Sequence, residues 1–399
     1  MNKRYLIAGA GIAGLSAAEA VREADPSGVI IMFSAEDCLP YSRPMLTKAP
    51  LSSFNPDGFI IHERSWFAEK NIALRLSDPV TSVDAVKKTV TALSGTYGYD
   101  KLIIASGADS FIPPFPGADR DMVRAIRRTE DIFGIKPSCG PGSRAVIIGG
   151  GVIGIEAALQ LYRSGAEVTV LEAMPHLMAK QIDREISDLI CRELDGIIKI
   201  HTGAVISSIE EDSVILSDGQ KFCCDIVIIS CGVRSSVSVA PPSVKAAGSI
   251  QIDEHCLTSD PDIYAAGDCA ARDGINYALW SQAMAQGRTA GLNAASSDNR
   301  HVIEPFDTSL VINSPYLSLF AAGDPGRKED REYETRYLSA REEDKTFYVN
   351  QSQGKRFEKL YYLDGRLTGA AVIGNLSHME KLKEEILGIH PAVRKETGV

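Results

Sequence analysis

Two stretches of the chain carry the residue types and the spacing of a dinucleotide grip. Gly9, Gly11 and Gly14 stand as G-x-G-x-x-G in "IAGAGIAGLSAAEAV", and Gly149, Gly151 and Gly154 repeat the spacing in "IIGGGVIGIEAALQL". Such glycines allow a tight turn and the close approach of a pyrophosphate. The N-terminus of the helix that follows stabilises the phosphate charge, and a carboxylate about 20 residues on accepts a ribose hydroxyl. Glu36 and Glu172 occupy those two places. A glutamate at 172 favours the free 2′-hydroxyl of NADH, because a 2′-phosphate would be repelled. The "AMPHLMAK" that follows brings no arginine and only the distant Lys180. A different chemistry is raised by "EDCLPYSRPMLTK", residues 36–48, which holds a lone cysteine, Cys38, and a lysine, Lys48.

Positioning these groups takes two strand–turn–helix units. "YLIA" is a buried strand before the first glycine loop, and "GVIIMFSAE" is the next strand, ending on Glu36. The second unit repeats the plan in "RAVIIGGGVIGIEAALQLYRSGAEVTVLEA", with Glu172 closing its second strand. "YDKLIIASGA" (residues 99–108) and "CDIVIISCGVRSS" (residues 224–236) read as the last strand of each unit. "SDPDIYAAGDCA" (residues 259–270) gives a further buried strand ending in Gly267-Asp268, and "WSQAMAQGRTAGLNAA" a helix rich in small residues. The simplest arrangement inserts the second unit into the first, with the chain returning near residue 240. From about residue 305, strands, turns such as Asp364-Gly365 and a closing helix replace this texture. The charge run "RKEDREYETR" reads as a solvated edge or loop. The expected fold is α/β: two nested Rossmann-like dinucleotide-binding domains plus a C-terminal α+β domain. Their expected bounds are residues 1–112 with 241–304, 113–240, and 305–399.

Bulk properties narrow the function. The 399 residues suit two or three domains, and 44% hydrophobic with 24% charged residues is an ordinary composition for a protein in water. A net charge of −10 argues against a general nucleic-acid binder, while leaving room for a local basic docking patch. The eight cysteines form no C-x-x-C pair, so reduced and mostly buried thiols in a cytoplasmic chain are expected. The seven histidines are scattered, which speaks against a structural zinc or an iron–sulfur cluster, and no metal is expected. "MNKRYLIAGAGIAGLSAAEAV" has the outline of a signal peptide, yet the same pattern recurs internally, where no signal peptide can be. No run is long and apolar enough for a membrane span.

"PYSRPMLTK", "YDKLIIASG", "IIGGGVIGIEAA", "IYAAGDCA" and "AVIGNLS" span nearly the whole chain. Together they resemble the flavoproteins with two dinucleotide-binding domains, and among these the NADH:rubredoxin oxidoreductases and related ferredoxin reductases. "GVRSS" (residues 232–236) departs from relatives that often have Pro-Asn after the arginine, and "NYALW" before Ser281 follows no one subfamily. The resemblance implies FAD in the first unit and NADH in the second. It implies that Gly9, Gly11, Ala13, Gly14 and Glu36 hold the ADP half of FAD, with Val80 along the adenine. Arg43, Pro44, Lys48, Ala105 and Gly107 would also line the FAD site. Arg127 would reach it, with Arg128 a close rival. Asp268 would bond the ribityl chain, and Trp280 would meet the pyrimidine edge of the flavin. Gly149, Gly151, Ile153, Gly154, Glu172 and Gly232 would serve NADH.

The same resemblance settles the expected chemistry of residues 36–48. Cys38 lies two residues beyond Glu36, and two extended residues cover about 7 Å, so Cys38 stays at the adenosine end. Relatives with a redox cysteine carry it about ten residues past the acid, where this chain has "RPMLTK"; no redox disulfide is expected. Lys48 has the reach, and a buried ammonium needs a partner. Glu156, two residues past Gly154, is the expected one, matching the Lys–Glu pair beside the flavin N5 of related reductases. NADH would give a hydride to the flavin, and electrons would pass singly to a small iron–sulfur carrier, rubredoxin or ferredoxin. The competing expectations are a nitrite-reductase-type enzyme, an NADH oxidase, and an NADH-sensing regulatory flavoprotein.

Overall fold

The structure, a computed structural model, describes residues 2–298, 300–326, 331–339 and 356–388. Contacts divide the chain into two units.

The first unit comprises Met1–Arg43, Asn55–Asp109 and Val233–Phe306. Strand Arg4–Ala8 is apolar on both faces and sits at the centre of a parallel sheet, as strands covered on both sides do. It pairs with Val29–Phe33 on one side and Lys101–Ile104 on the other, and Ile72–Arg75 and Ile263–Ala265 complete five strands. Helix Ile12–Ala24 packs against Trp280–Ala295. The approach is close because small residues meet there: a side chain at Gly287 would run into the Ala13 carbonyl. Tyr5, Leu15, Ile30, Met32 and Tyr264 fill the core beside them.

The second unit comprises Pro44–Phe54, Ser110–Gly232 and the described residues from Asp307 on. Strand Arg144–Ile148 lies between Glu167–Glu172 and Ile226–Ile229, with Lys199–Thr202 and Val123–Ala125 at the edges of a second parallel sheet. The C-terminal residues form an antiparallel sheet ordered Leu310–Asn313, Ser318–Gly323, Arg366–Gly374, Arg356–Leu363, Glu334–Ser339, which helix Met379–Leu387 covers.

The contact units are drawn differently from the expected domains. Residues 44–54 group by contact with the second unit, where the Met45–Lys48 turn packs on helix Val152–Arg163. The first unit resumes at Val233. The C-terminal sheet groups with the second unit, and Lys359 joins it to Asp183. Of the charge run, Glu334–Arg336 lies on the edge strand of that sheet. Its residues 327–330, and residues 345–355 of the expected strands, lie outside the described residues. Among the described residues no helix is long and apolar enough to cross a membrane, and no group of His, Cys, Asp or Glu could hold a metal ion.

Candidate active site

The two glycine loops are built alike. Gly9 and Gly149 take φ of 121° and 111°, where a side chain would run into the carbonyls of Ala105 and Ser230 respectively. Gly14 and Gly154 lie as tightly against the carbonyls of Gly9 and Gly149. Gly11 and Gly151 cap their helices without a side-chain acceptor, and neither first turn holds an acid. A Cβ placed at either would find no atom within 4 Å. Each loop thus leaves open space at a positively polarised helix end, and each fits a pyrophosphate. Ala13 is buried and its counterpart Ile153 exposed.

The two carboxylates expected at the riboses are held by different means. Glu36 follows strand Val29–Phe33 by three residues. Its Oε1 meets Arg43 Nη2 at 2.6 Å, and its Oε2 accepts from the Tyr41 hydroxyl at 2.8 Å. Arg43 also donates to Tyr41 at 2.9 Å and lies over its ring. Burial alone would weaken the Arg43 charge, but Tyr41, Glu36 and Asp268 hold its pKa above the ordinary value. Burial raises the Tyr41 phenol, keeping it a donor against the opposing pull of Arg43. Glu172, at the end of strand Glu167–Glu172, is fixed by backbone: Gly150 N–H donates to Oε2 at 2.5 Å and Met174 N–H to Oε1 at 2.7 Å.

Lys48 and Glu156 come together within the second unit. Pro44 caps the short Met45–Lys48 turn, and Glu156 lies in helix Val152–Arg163 beneath it. Lys48 Nζ stands 3.9 Å from Glu156 Oε1, at the outer limit of an ion pair, with the lysine side chain 42% exposed and the glutamate 8%. The tighter partner is Thr47, whose hydroxyl donates to Glu156 Oε2 at 2.5 Å. Gln160, one turn on, donates from Nε2 to the Lys48 carbonyl at 3.0 Å. Burial raises the Glu156 pKa, and the Thr47 hydrogen bond and then the Lys48 charge oppose it. The cluster can hold a cation at a set place beside a buried acid whose pKa burial raises.

The remaining expected residues are distributed over the two units. Val80 opens strand Val80–Asp84, and Ala105 and Gly107 follow strand Lys101–Ile104. Asp268 follows strand Ile263–Ala265, and its carbonyl accepts from Ser235 at 2.6 Å and Asn276 at 2.8 Å. Trp280 is the first residue of its helix. Arg127 and Arg128 both donate backbone N–H to Asp131 Oδ2 at the start of helix Thr129–Ile135. Gly232 takes a φ of 99° with open space around it. Cys38 lines a cavity of about 320 Å³ with Tyr41 and Arg64. All eight cysteines are free thiols. Burial pushes Cys139 and Cys231 up to about 11.

Tyr41 and Thr47 were not among the expected site residues. Both sit in "PYSRPMLTK", two and one places from residues that were, and their hydroxyls alternate with its cations. That alternation is the available signal, since a charged group brought out of water needs donors beside it.

Residues 3–287 match the model of a family described as pyridine nucleotide-disulphide oxidoreductase. The NADH-rubredoxin oxidoreductase of Clostridium acetobutylicum is 32% identical over 394 residues, covering 96% of this chain and 94% of that protein. The nitrite reductase [NAD(P)H] of Bacillus subtilis is 27% identical over 392 residues; this chain spans only about half of its length, 47%. The crystal structure of the ferredoxin reductase for the CYP199A2 system from Rhodopseudomonas palustris superposes with a TM-score of 0.81 at 26% identity, covering 95% of this chain and 93% of that one. With the two glycine loops and their carboxylates in place, the chain belongs to the pyridine nucleotide-disulphide oxidoreductase family.

Proposed function

We propose that the chain is a reductase that holds FAD in its first unit, takes electrons from NADH in its second, and delivers them to a small iron–sulfur carrier of the rubredoxin or ferredoxin kind, without a redox disulfide. The observation that carries the reading is the pair of like-built dinucleotide cradles in one chain, each followed by its own fixed carboxylate. Bound FAD accepts two electrons from NADH and can release them one at a time. The chain supplies placement and charge. Residues 1–112 with 241–304 form the FAD-binding domain: Gly9, Gly11, Ala13, Gly14 and Glu36 hold the ADP half, and Arg43 and Tyr41 keep Glu36 oriented. Residues 113–240 bind NADH through Gly149, Gly151, Gly154 and Glu172, and residues 305–399 form the C-terminal domain. Lys48 is the cation that favours negative charge on reduced flavin, and Glu156 orients it. Thr47 orients Glu156 in turn. All eight cysteines are free thiols, three of them buried, four half-buried and Cys223 exposed, against the mostly buried set expected; free thiols suit a cytoplasmic setting.

The relatives named for rubredoxin and ferredoxin support the carrier. The nitrite reductase relative, matched over 392 residues, supports a second reading in which the same electrons feed a nitrite-reducing partner. Steady-state NADH oxidation by the FAD-loaded chain, with rubredoxin, ferredoxin, a nitrite-reducing partner and oxygen in parallel, separates these. Rapid turnover with an iron–sulfur carrier is expected. Turnover with oxygen alone would make the chain an oxidase. Reduction that stalls in a long-lived complex with every acceptor would overturn the reductase and leave a sensor.

A further inference from the structure

The C-terminal sheet meets the segment that runs from the second glycine loop to helix Arg184–Glu193 through one buried lysine. Lys359 is 5% exposed, and its Nζ bonds Asp183 Oδ2 at 2.6 Å and Glu185 Oε2 at 2.6 Å. Its neighbour across the strand face, Tyr361, donates to the same Asp183 oxygen at 2.9 Å, and Tyr337 donates to Glu185 at 2.9 Å. The tyrosine rings flank the ammonium, 5.4 and 5.5 Å from Nζ. A lysine this deep is costly unless matched by charge and hydrogen bonds, and here both carboxylates belong to one short piece of another element.

That piece is the start of helix Arg184–Glu193. Asp183 is its N-cap, accepting from Ile186 N–H at 3.0 Å through Oδ1 while Oδ2 faces Lys359. One turn in, the buried Ser187 hydroxyl accepts from Leu177 N–H at 2.9 Å. Next to Leu177, Met178 is held at a φ of 46°, and its N–H donates to the Gly150 carbonyl at 3.1 Å. Gly150 is the middle glycine of the second loop, and its own N–H binds Glu172. Leu177 packs so close to Gly150 that a Cβ there would lie 2.5 Å from the leucine Cδ2. The residues between Glu172 and Asp183 are thus pinned at both ends: at the glycine loop by Glu172 and Met178, and at the helix cap by Lys359 and Tyr361.

We infer that Lys359 is a positioning residue of the NADH site, holding the 173–183 segment against the second glycine loop, so that the C-terminal sheet forms part of the machinery that selects and binds the dinucleotide. The inference rests on the reading that the second loop takes NADH. It gives the C-terminal sheet a task beyond meeting a carrier: a segment under non-glycine backbone strain at Met178 persists only when its surroundings hold it. Lys359 supplies that hold at the end remote from the loop.

The test uses the FAD-loaded full chain and the variants Y361F, K359M and K359R. Calorimetric titration with ADP-ribose reads the grip on the dinucleotide without any redox step. Anaerobic stopped-flow reduction over a range of NADH concentrations separates the dissociation constant from the limiting rate. ADP-ribose should bind about threefold more weakly to Y361F and about thirtyfold more weakly to K359M, the span usual for residues along such a network. K359R, which keeps the cation, should recover most of the loss. The NADH dissociation constant should follow the same order, with FAD content and limiting reduction rate near those of the parent. If Y361F and K359R retain FAD and every variant binds ADP-ribose like the parent, with K359M losing only thermal stability, the lysine is a strut and the inference is wrong. If the parent chain itself binds no ADP-ribose, the NADH reading of the second loop falls instead.

Discussion

At the scale of single residues the centre of the site is an unequal partnership. Glu156 is within 3.9 Å of Lys48 but hydrogen-bonded at 2.5 Å by Thr47. Removing that donor leaves the buried acid with less to keep it ionised. Thr47→Val should therefore move the acid limb of NADH-driven flavin reduction to higher pH by about one unit or more, the worth of a hydrogen bond to a charged group. Thr47→Ser should restore it, and rapid-mixing rates across pH read the result; an unmoved limb would remove Thr47 from the site. A stability prediction follows from the same group with a definite sign. Burial holds Glu156 above the ordinary 4.5, so folding favours its protonated form. The penalty is absent below about pH 4.5 and grows as pH rises through the raised value. Glu156→Gln should raise Tm by about 2 °C or more at pH 8, lose that gain toward pH 4, and reduce flavin slowly throughout. A Tm equal to the parent at pH 8 would mean that the carboxylate is comfortably solvated. Lys48 and Glu156 were legible from "LTK" and "GIE" because charged residues at a glycine loop and a family motif single them out. Thr47 was not, since a threonine in a turn ordinarily bonds its own backbone.

At the scale of elements, small residues fix how closely two helices of the first unit approach one another. Trp280–Ala295 lies so near Ile12–Ala24 that Gly287 has the Ala13 carbonyl where a side chain would go, and Gly291 has that of Ala17. Gly287→Val should force the helices apart, costing about 1–3 kcal/mol and loosening the first glycine loop. The measurement is FAD retained after gel filtration together with Tm; a variant that keeps its flavin and its Tm would show that the packing has slack. This helix was readable to its last residue, because sixteen residues of small and polar type without proline leave little alternative. Strand Val29–Phe33 was read three residues too long, up to Glu36. The reason is that Ser34 and Glu36 bond one another locally through side chain and backbone, which draws the chain out of the sheet before the acid is reached.

For the molecule as a whole, the insertion of one nucleotide-binding unit into another was legible because the same strand–loop–helix pattern recurs about 140 residues apart. The grouping of the C-terminal sheet was not, because it depends on Lys359 meeting Asp183 across 176 positions, a pairing no local pattern records. Nor was the packing of residues 45–48 on helix Val152–Arg163, where a four-residue turn answers to the helix it meets. The redox capacity of the chain belongs to this scale. Purified protein should hold one FAD per chain and take up two electrons, not four, in an anaerobic dithionite titration. Cys38→Ser should do the same and keep most of its turnover. A four-electron titration that falls to two in Cys38→Ser would reinstate a thiol centre.

If Glu36 and Glu172 serve the riboses as proposed, the unlike ways in which they are held have a consequence for exchange. Glu36 is held by the side chains of Arg43 and Tyr41, whose rotamers must themselves be ordered. That suits a guest admitted once and kept for the life of the protein. Glu172 is held by the N–H groups of Gly150 and Met174, which have no rotamers to lose. A visitor that arrives and departs with every cycle meets its acceptor already set, and no ordering penalty recurs on each arrival.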